Sequence, residues 1–241
     1  MKVSVIVPVL NEETTIGAAL DSLGESGADE ILVVDGGSED RTTDICARRN
    51  CRLLRAERGR ARQMNAGAAA ATGDAFVFLH ADSRLGEGAV RRAVEALATP
   101  GVVGGAFRLR LAPGGVPARL VSLAINLRSR LLRAATGDQA LFVRRDAFFA
   151  AGGFPDIPFL EDVAMWRRLG AVGRLVIDRP CVTTSSRRFV ESGWLRTVLA
   201  MWRIRVMYRL GASPDRLKRV YPEVRSVPRG VHETDLGGPP T

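Results

Sequence analysis

Short apolar runs alternate with polar clusters through the first third of the chain. Residues 3–10 (VSVIVPVL), 31–34 (ILVV) and 76–79 (FVFL) are nearly unbroken apolar segments, and residues 52–56 form a weaker one. Runs of this length without strict alternation are the pattern of strands buried on both faces. Between them the spacing predicts three helices. One covers residues 16–23 after Asn11-Glu12-Glu13-Thr14, one covers 40–49 after Asp35-Gly36-Gly37-Ser38, and an alanine-rich one covers 59–71 up to Thr72-Gly73-Asp74. Strand, polar cluster, helix, repeated, predicts a parallel α/β sheet. The repeat puts Asn11, Asp35 and Asp82 on one edge, beyond the carboxyl ends of the strands, where such sheets bind ligands.

After Asp82 the alternation loosens. A helix is expected over 90–97, an alternating strand over 102–111 and a helix over 117–135. In that last helix Leu120, Leu127, Leu131 and Leu132 share an apolar arc, the side an amphipathic helix turns inward, and Arg119, Arg130 and Arg133 cluster opposite. Arg128 falls inside the arc, where it either snorkels or is aimed at a ligand. Gly137-Asp138-Gln139 interrupts the chain before a short strand over 140–144, and Gly152-Gly153-Phe154-Pro155 is a turn. Glu161-Asp162 opens a helix reaching Leu169, and residues 175–177 and 181–184 read as two strands. The helix over 194–210 is apolar almost all round, with Arg196, Arg203, Arg205 and Arg209 scattered through it. It packs on its own domain or a twin subunit, or it lies in a membrane interface; its arginines deny it a spanning role, and no segment has the ~18 uncharged apolar residues of a membrane span. Three parts are expected: a domain over 1–190, a basic helical segment over 191–225, and a disordered Gly/Pro-rich tail over 226–241.

The net charge is +9, and every basic residue except Lys2 and Lys218 is arginine, the side chain suited to bidentate contacts with phosphate and carboxylate. Residues 187–225 hold ten basic and three acidic side chains, a local +7. That charge suits a phosphorylated ligand, an anionic membrane surface or nucleic acid. Nucleic acid, whose binders interleave basic residues with exposed aromatics, fits poorly, because the acidic set would then have no purpose. Cys46, Cys51 and Cys181 are odd in number and lack metal-ligand spacing. With no signal-peptide pattern, they suggest free thiols in a reducing, cytoplasmic setting, peripheral contact with the inner membrane face being allowed.

Uncompensated acids stand at the loop edges: Asp35, Asp82, Asp138 and Glu161-Asp162. In an otherwise basic chain they suggest a divalent cation holding a polyphosphate, since a hard cation needs few protein carboxylates when phosphate oxygens complete its shell. Asp82, at the mouth of the run 76–79, is the central candidate; the plainer alternative is a helix cap. No GxxxxGK[ST] loop and no GxGxxG opening the first helix are present, which argues against simple NTPases and dinucleotide-binding dehydrogenases.

Five features together resemble family 2 glycosyltransferases: VIVPVLNEE at residues 5–13, VVDGGSEDRT at 33–42, Asn65-Ala66-Gly67 followed by Ala71-Thr72-Gly73-Asp74, His80-Ala81-Asp82, and Glu161-Asp162. Their order and spacing cover residues 3–170. GRARQMNAG, LHAD, GDQALFVRR and the SSRR run further resemble a bacterial subgroup of arsenosugar-biosynthesis-type transferases. The resemblance implies a GT-A-like, mostly parallel sheet flanked by helices, with a C-terminal helical appendage. It implies transfer of a sugar from a nucleotide-diphosphate donor, with a UDP-sugar expected, to an unidentified acceptor, aided by Mg²⁺ or Mn²⁺. Pro8, Asn11 and Glu12 would shape the first nucleotide loop, Asp35 would meet the base or ribose, and Asp82 would hold the metal. Asp162, with Glu161 beside it, would be the general base. Asp138 and Gln139 join the ligand-binding candidates.

Departures from the family pattern shape the rest. His80 stands where Asp is usual, either as a ligand or as a strand-end histidine with a structural hydrogen bond. Met64 replaces the arginine that usually precedes Asn65, so Arg60 and Arg62 are candidates for the lost diphosphate contact. Asn65 itself has a turn-stabilising alternative, and Asp40 reads as a helix cap. Arg187 and Arg188 either clamp phosphate or an anionic acceptor or are solvated surface charges. The QxxRW motif of processive synthases is absent, so single transfers are expected. One base without a second nucleophilic carboxylate implies in-line displacement and inversion, and the charge of Glu161 should raise the proton affinity of Asp162. The alternative activity is nucleotidyl transfer to sugar phosphates, although LNEETT is not the Gly-rich, Lys-bearing loop that chemistry uses.

Overall fold

The computed structural model describes residues 1–220, without the side chains of residues 180 and 181; the tail expected over 226–241 lies outside the described residues. The elements run β1 (Val3–Val9), α1 (Ile16–Gly24), β2 (Glu30–Asp35), α2 (Thr42–Ala47), β3 (Arg52–Arg55), α3 (Arg60–Ala70) and β4 (Ala75–Phe78). They continue with β5 (Ser83–Arg84), α4 (Ala89–Leu97), β6 (Val102–Ala112), α5 (Gly115–Leu132), β7 (Leu141–Arg144), α6 (Arg145–Ala150) and α7 (Glu161–Val172). The described chain closes with β8 (Arg174–Ser185), α8 (Arg187–Ser192), α9 (Trp194–Arg209) and α10 (Pro214–Val220).

One eight-stranded sheet has the order β3-β2-β1-β4-β7-β6-β8-β5. β1 is parallel to β2 and β4, and β2 to β3; β7 runs antiparallel to both its neighbours, β6 is parallel to β8, and β5 is antiparallel to β8. The sheet is therefore mostly parallel, as expected, with β5 and β7 reversed. The common direction of β1, β2 and β4 brings the loops at Asn11, Asp35 and Asp82 to one edge.

Side chains alternate between two layers. Val5, Val7 and Val9 pack with α1 and α4 through Ile16, Leu20, Val90 and Leu97. Ile6, Leu32 and Val34 pack with α3, α6 and α7 through Met64, Phe148, Met165 and Leu169. Burial on both faces explains why the strands read as continuous apolar runs. Gly67 lets α3 approach closely: a Cβ there would sit 2.5 Å from Ile6 Cγ2. The Asn-Ala-Gly motif thus includes a packing requirement of the sheet.

The structure departs from the sequence expectation in four places. Residues 174–185 form one strand, not two; the pairing of β6 with β8 shifts register between Phe107 and Arg108, opposite Asp178 and Cys181, so the supposed gap is a bulge. The helix expected over 40–49 shortens to Thr42–Ala47. Asp82 does not cap a helix, because the chain passes into β5 and α4 begins only after Gly88. Most consequentially, α5 is turned over. Its buried residues are Ala118, Ser122, Ile125 and Ser129, while Leu120, Leu127, Leu131 and Leu132 are exposed. Polar anchoring decides this. Leu111 N donates to Ser122 Oγ at 2.9 Å, and the Asn126 amide both accepts from Leu109 N (2.8 Å) and donates to Leu109 O (2.9 Å). Those bonds satisfy an edge of β6 that would otherwise lose its partners.

Candidate active site

A cleft of about 240 Å³ opens at the carboxyl edge of the sheet. Pro8 and Glu12 come from the end of β1 and its loop, Arg60 from the start of α3, and His80, Ala81 and Asp82 from the loop after β4. Thr136 and Asp138 come from the one-turn helix at Gly137–Gln139, and Phe159, Leu160, Glu161 and Asp162 from the start of α7. Thr184, Ser185, Arg187, Arg188 and Phe189 from β8 and α8, and Met201, Ile204 and Arg205 from α9, form the remaining wall.

Asp162 is held firmly. Gly137 N donates to Oδ2 at 2.6 Å and Val163 N to Oδ1 at 2.7 Å. The N-cap of α7 is Leu160, in the left-handed region, so Asp162 lies inside the first turn and not at the cap. Gly137 is wedged against this group: a Cβ at 137 would lie 2.8 Å from His80 Nε2 and 3.3 Å from Asp162 Oδ2. Glycine is needed there for space.

Glu161 is buried, and Arg60 Nη1 donates to its Oε1 at 3.2 Å. Burial pushes the Glu161 carboxyl up from its ordinary range and the Arg60 charge pulls it back. The Asp138 carboxyl is likewise pushed up by burial, against a hydrogen bond donated by Thr136 Oγ1. Burial lowers the proton affinity of Arg128, whose Nε has no hydrogen-bond partner among the described residues.

Asp82 accepts from Ser83 Oγ at 3.2 Å and makes no ion pair among the described residues. No group of three His, Cys, Asp or Glu side chains gathers to hold a metal unaided among the described residues. A lone carboxylate facing an open cleft fits a cation whose remaining ligands are phosphate oxygens.

Several sequence candidates do not line the cleft. Arg62 is turned away, paired with Asp156 at 2.9 Å and Glu57 at 2.8 Å, so of the two α3 arginines Arg60 is the one that lines the cleft. Asn65 donates to Phe154 O (2.8 Å) and accepts from Phe154 N (2.9 Å), the turn-holding alternative. Gln139 is buried, accepting from Ser129 Oγ and donating to Phe107 O. Asp35 is fully buried and accepts from Gly37 N and Ser38 N. Asn11, at φ 54°, accepts from Glu39 N. These last two bind their loops together beside the cleft. Residues that the sequence reading passed over line it instead: Thr136, Phe159, Thr184, Ser185 and, from α9, Arg205. The scattered arginines of α9 were the available signal for Arg205.

Residues 4–122 match the family model described as Glycosyl transferase family 2. This stretch is a family 2 glycosyltransferase domain. An uncharacterized glycosyltransferase of Nostoc sp. is 33% identical over 123 residues, covering 47% of this chain and 38% of that relative. The chain therefore spans well under half the length of that curated relative. Two solved structures share the fold. A mannosyltransferase from Pyrobaculum calidifontis, in complex with GDP-Man and Mn²⁺, has a TM-score of 0.64 at 24% identity, covering 91% of this chain and 67% of that one. A glucosyl-3-phosphoglycerate synthase from Mycobacterium tuberculosis, in complex with Mn²⁺, UDP and glucosyl-3-phosphoglycerate, has a TM-score of 0.56 at 22% identity, covering 87% and 80%. The chain thus has the GT-A architecture that its motifs implied, and Asp82 meets Glu161 and Asp162, which follow the matched stretch, in one cleft.

Proposed function

We propose that the chain transfers one sugar, with inversion, from a nucleotide-diphosphate donor, a UDP-sugar, to an acceptor hydroxyl. The observation that carries this is the convergence of Asp82 and Asp162 on one cleft that Arg60, paired with Glu161, also lines. Asp82 would hold Mg²⁺ or Mn²⁺, which when bound supplies positive charge against a diphosphate leaving group. The metal-bound complexes of the two structural relatives support this choice of cofactor.

Asp162 is the group to receive the acceptor proton at a carboxylate oxygen. Its two backbone donors fix the carboxylate's plane, so orientation is set before substrate arrives. Glu161 is engaged by Arg60, which leaves no second open carboxylate from α7 to act as nucleophile. A single base supports one displacement, hence inversion. Arg60 contributes positive charge where the diphosphate would lie, and Pro8, Glu12, His80 and Ala81 shape that side of the cleft. Arg187 and Arg188 face it from α8. The likeness to arsenosugar-type transferases continues to rest on the sequence motifs alone.

Calorimetric titration of UDP with and without Mn²⁺ tests the reading. Wild type should show Mn²⁺-dependent binding. Asp82→Asn should weaken that component by at least the ~10-fold typical of lost outer-shell metal partners, with the melting transition retained. Equal Mn²⁺-dependent affinity in the variant would remove Asp82 from the metal site.

A further inference from the structure

α5 and α9 pack on one apolar cluster beside β6. It joins Leu109 and Leu111 from β6 with Ala118 and Ile125 from α5, Phe189 from α8, and the partly buried Trp194 and Met201 from α9. Near their beginnings, a Cβ on Gly114 would lie 3.0 Å from the Trp194 ring. Toward their ends, Arg209 is close enough to Arg128 to act on its charge. The two helices therefore meet at their beginnings and share one apolar cluster.

Their outer faces are apolar. On α5, Val116, Leu120, Leu123, Leu127 and Leu131 follow the spacing of one narrow stripe and are 54–72% exposed. On α9, Leu195, Leu199 and Trp202 form a second stripe at 56–73% exposure. Large contiguous apolar patches of this kind mark interaction sites. Arginines border the stripes: Arg119 and Arg130 on α5, Arg196 and Arg203 on α9, all exposed. Neither helix contains an aspartate or a glutamate, and residues 96–137 contain none at all. No helix among the described residues is long and apolar enough to cross a membrane.

We propose that the α5–α9 face docks onto an anionic lipid surface, with both helices lying in the plane of the interface. Leucine and tryptophan side chains with arginine borders are the composition of interfacial helices, and exposed tryptophan favours the headgroup level. Charge selects the occupant. A second copy pairing through this face would set one acid-free, arginine-bordered surface against another, whereas anionic headgroups neutralise it. Nucleic acid would leave the leucine stripe uncovered. The inner face of α9, through Met201, Ile204 and Arg205, lines the cleft, so the docked helix is also a wall of the site. This inference stands independently of the transferase reading.

Vesicle flotation of the full chain, without nucleotide or metal, tests it. Binding is expected to phosphatidylcholine vesicles containing 30 mol% phosphatidylglycerol (on the order of the anionic content that raises a surface potential), absent with phosphatidylcholine alone, and reduced by high salt. Leu127→Glu and Trp202→Glu, both at exposed positions, should each weaken binding about tenfold or more while keeping the wild-type melting transition and UDP titration. Unchanged binding in both variants, or no binding of wild type to anionic vesicles, would overturn the proposal. So would a stable dimer in light scattering that Leu127→Glu dissociates, which would assign the face to a second copy.

Discussion

Along β1 to β4, apolar side chains are sealed between two helical layers, and the polar residues of the loops bond to one another. Asp35 accepts from Gly37 and Ser38, Asn11 ties the first loop to Glu39, and Gln63 donates from α3 to Val9 O at 2.7 Å and Val34 O at 2.8 Å. Along α5 and α9 the arrangement reverses. Serine, threonine and asparagine face inward to the β6 backbone or the helix interior, while leucines and a tryptophan face out. The first region is self-sufficient, with its polar groups satisfied at home. The second is polar within and apolar without, the build of a surface that is completed by something else.

The sharpest separation of the two regions comes from Asp162→Asn. It should lower turnover by about two to four orders of magnitude, the usual contribution of a positioned base. Titrated UDP affinity should stay near wild type, because the substitution lies on the acceptor side of the cleft. Turnover above about a tenth of wild type would take the base away from Asp162 and turn attention to Glu161. Next in size is Gln63→Leu. It removes two buried hydrogen bonds to strand-end carbonyls, one of which, Val9 O, keeps its bond from Gly36 N, and a loss of about 1–3 kcal/mol in urea unfolding is expected; a change under ~0.5 kcal/mol would show that this edge is not held by the Gln63 amide. Smallest is Leu127→Glu in the absence of lipid. Its unfolding free energy should lie within ~0.5 kcal/mol of wild type, an outcome that would be unreasonable for a core leucine such as Leu32. A cost of several kcal/mol would mean that α5 already has a partner.

The legibility of the sequence followed the same division. β1, β2 and β4 were readable because strands covered on both faces must be apolar throughout, and their direction placed Asn11, Asp35 and Asp82 correctly. The meeting of Asp82 with Glu161 and Asp162 was legible through motif resemblance, since nothing local links residues about 80 apart in sequence. Asn65 and Gln139 were picked out by motif, but their amides hold backbone, a use that residue type alone does not distinguish from ligand contact. The orientation of α5 was misread because hydrophobicity is blind to the bonds from Ser122 and Asn126 that fix it. The wall supplied by Phe159 and Thr184 had no local signature, and the scattered arginines of α9 that signalled Arg205 did not say which of them would reach the cleft.

The clamp between α3 and the segment before α7 has a consequence for how the molecule forms. Asn65 grips Phe154 across 89 residues and Arg60 grips Glu161 across 101. Closing loops of that length comes at an entropic cost that local contacts do not carry, and such distant pairings slow folding. The β1–β4 unit can collapse while the rest of the chain is still being made, since domains assemble from the N-terminal side during synthesis. The cleft cannot. Until residue 161 has emerged and returned to α3, Arg60 has no counter-ion and Asp162 no partner at Gly137. Acquisition of donor-binding competence should therefore lag behind acquisition of sheet structure in refolding, with the delay set by these two long-range bonds.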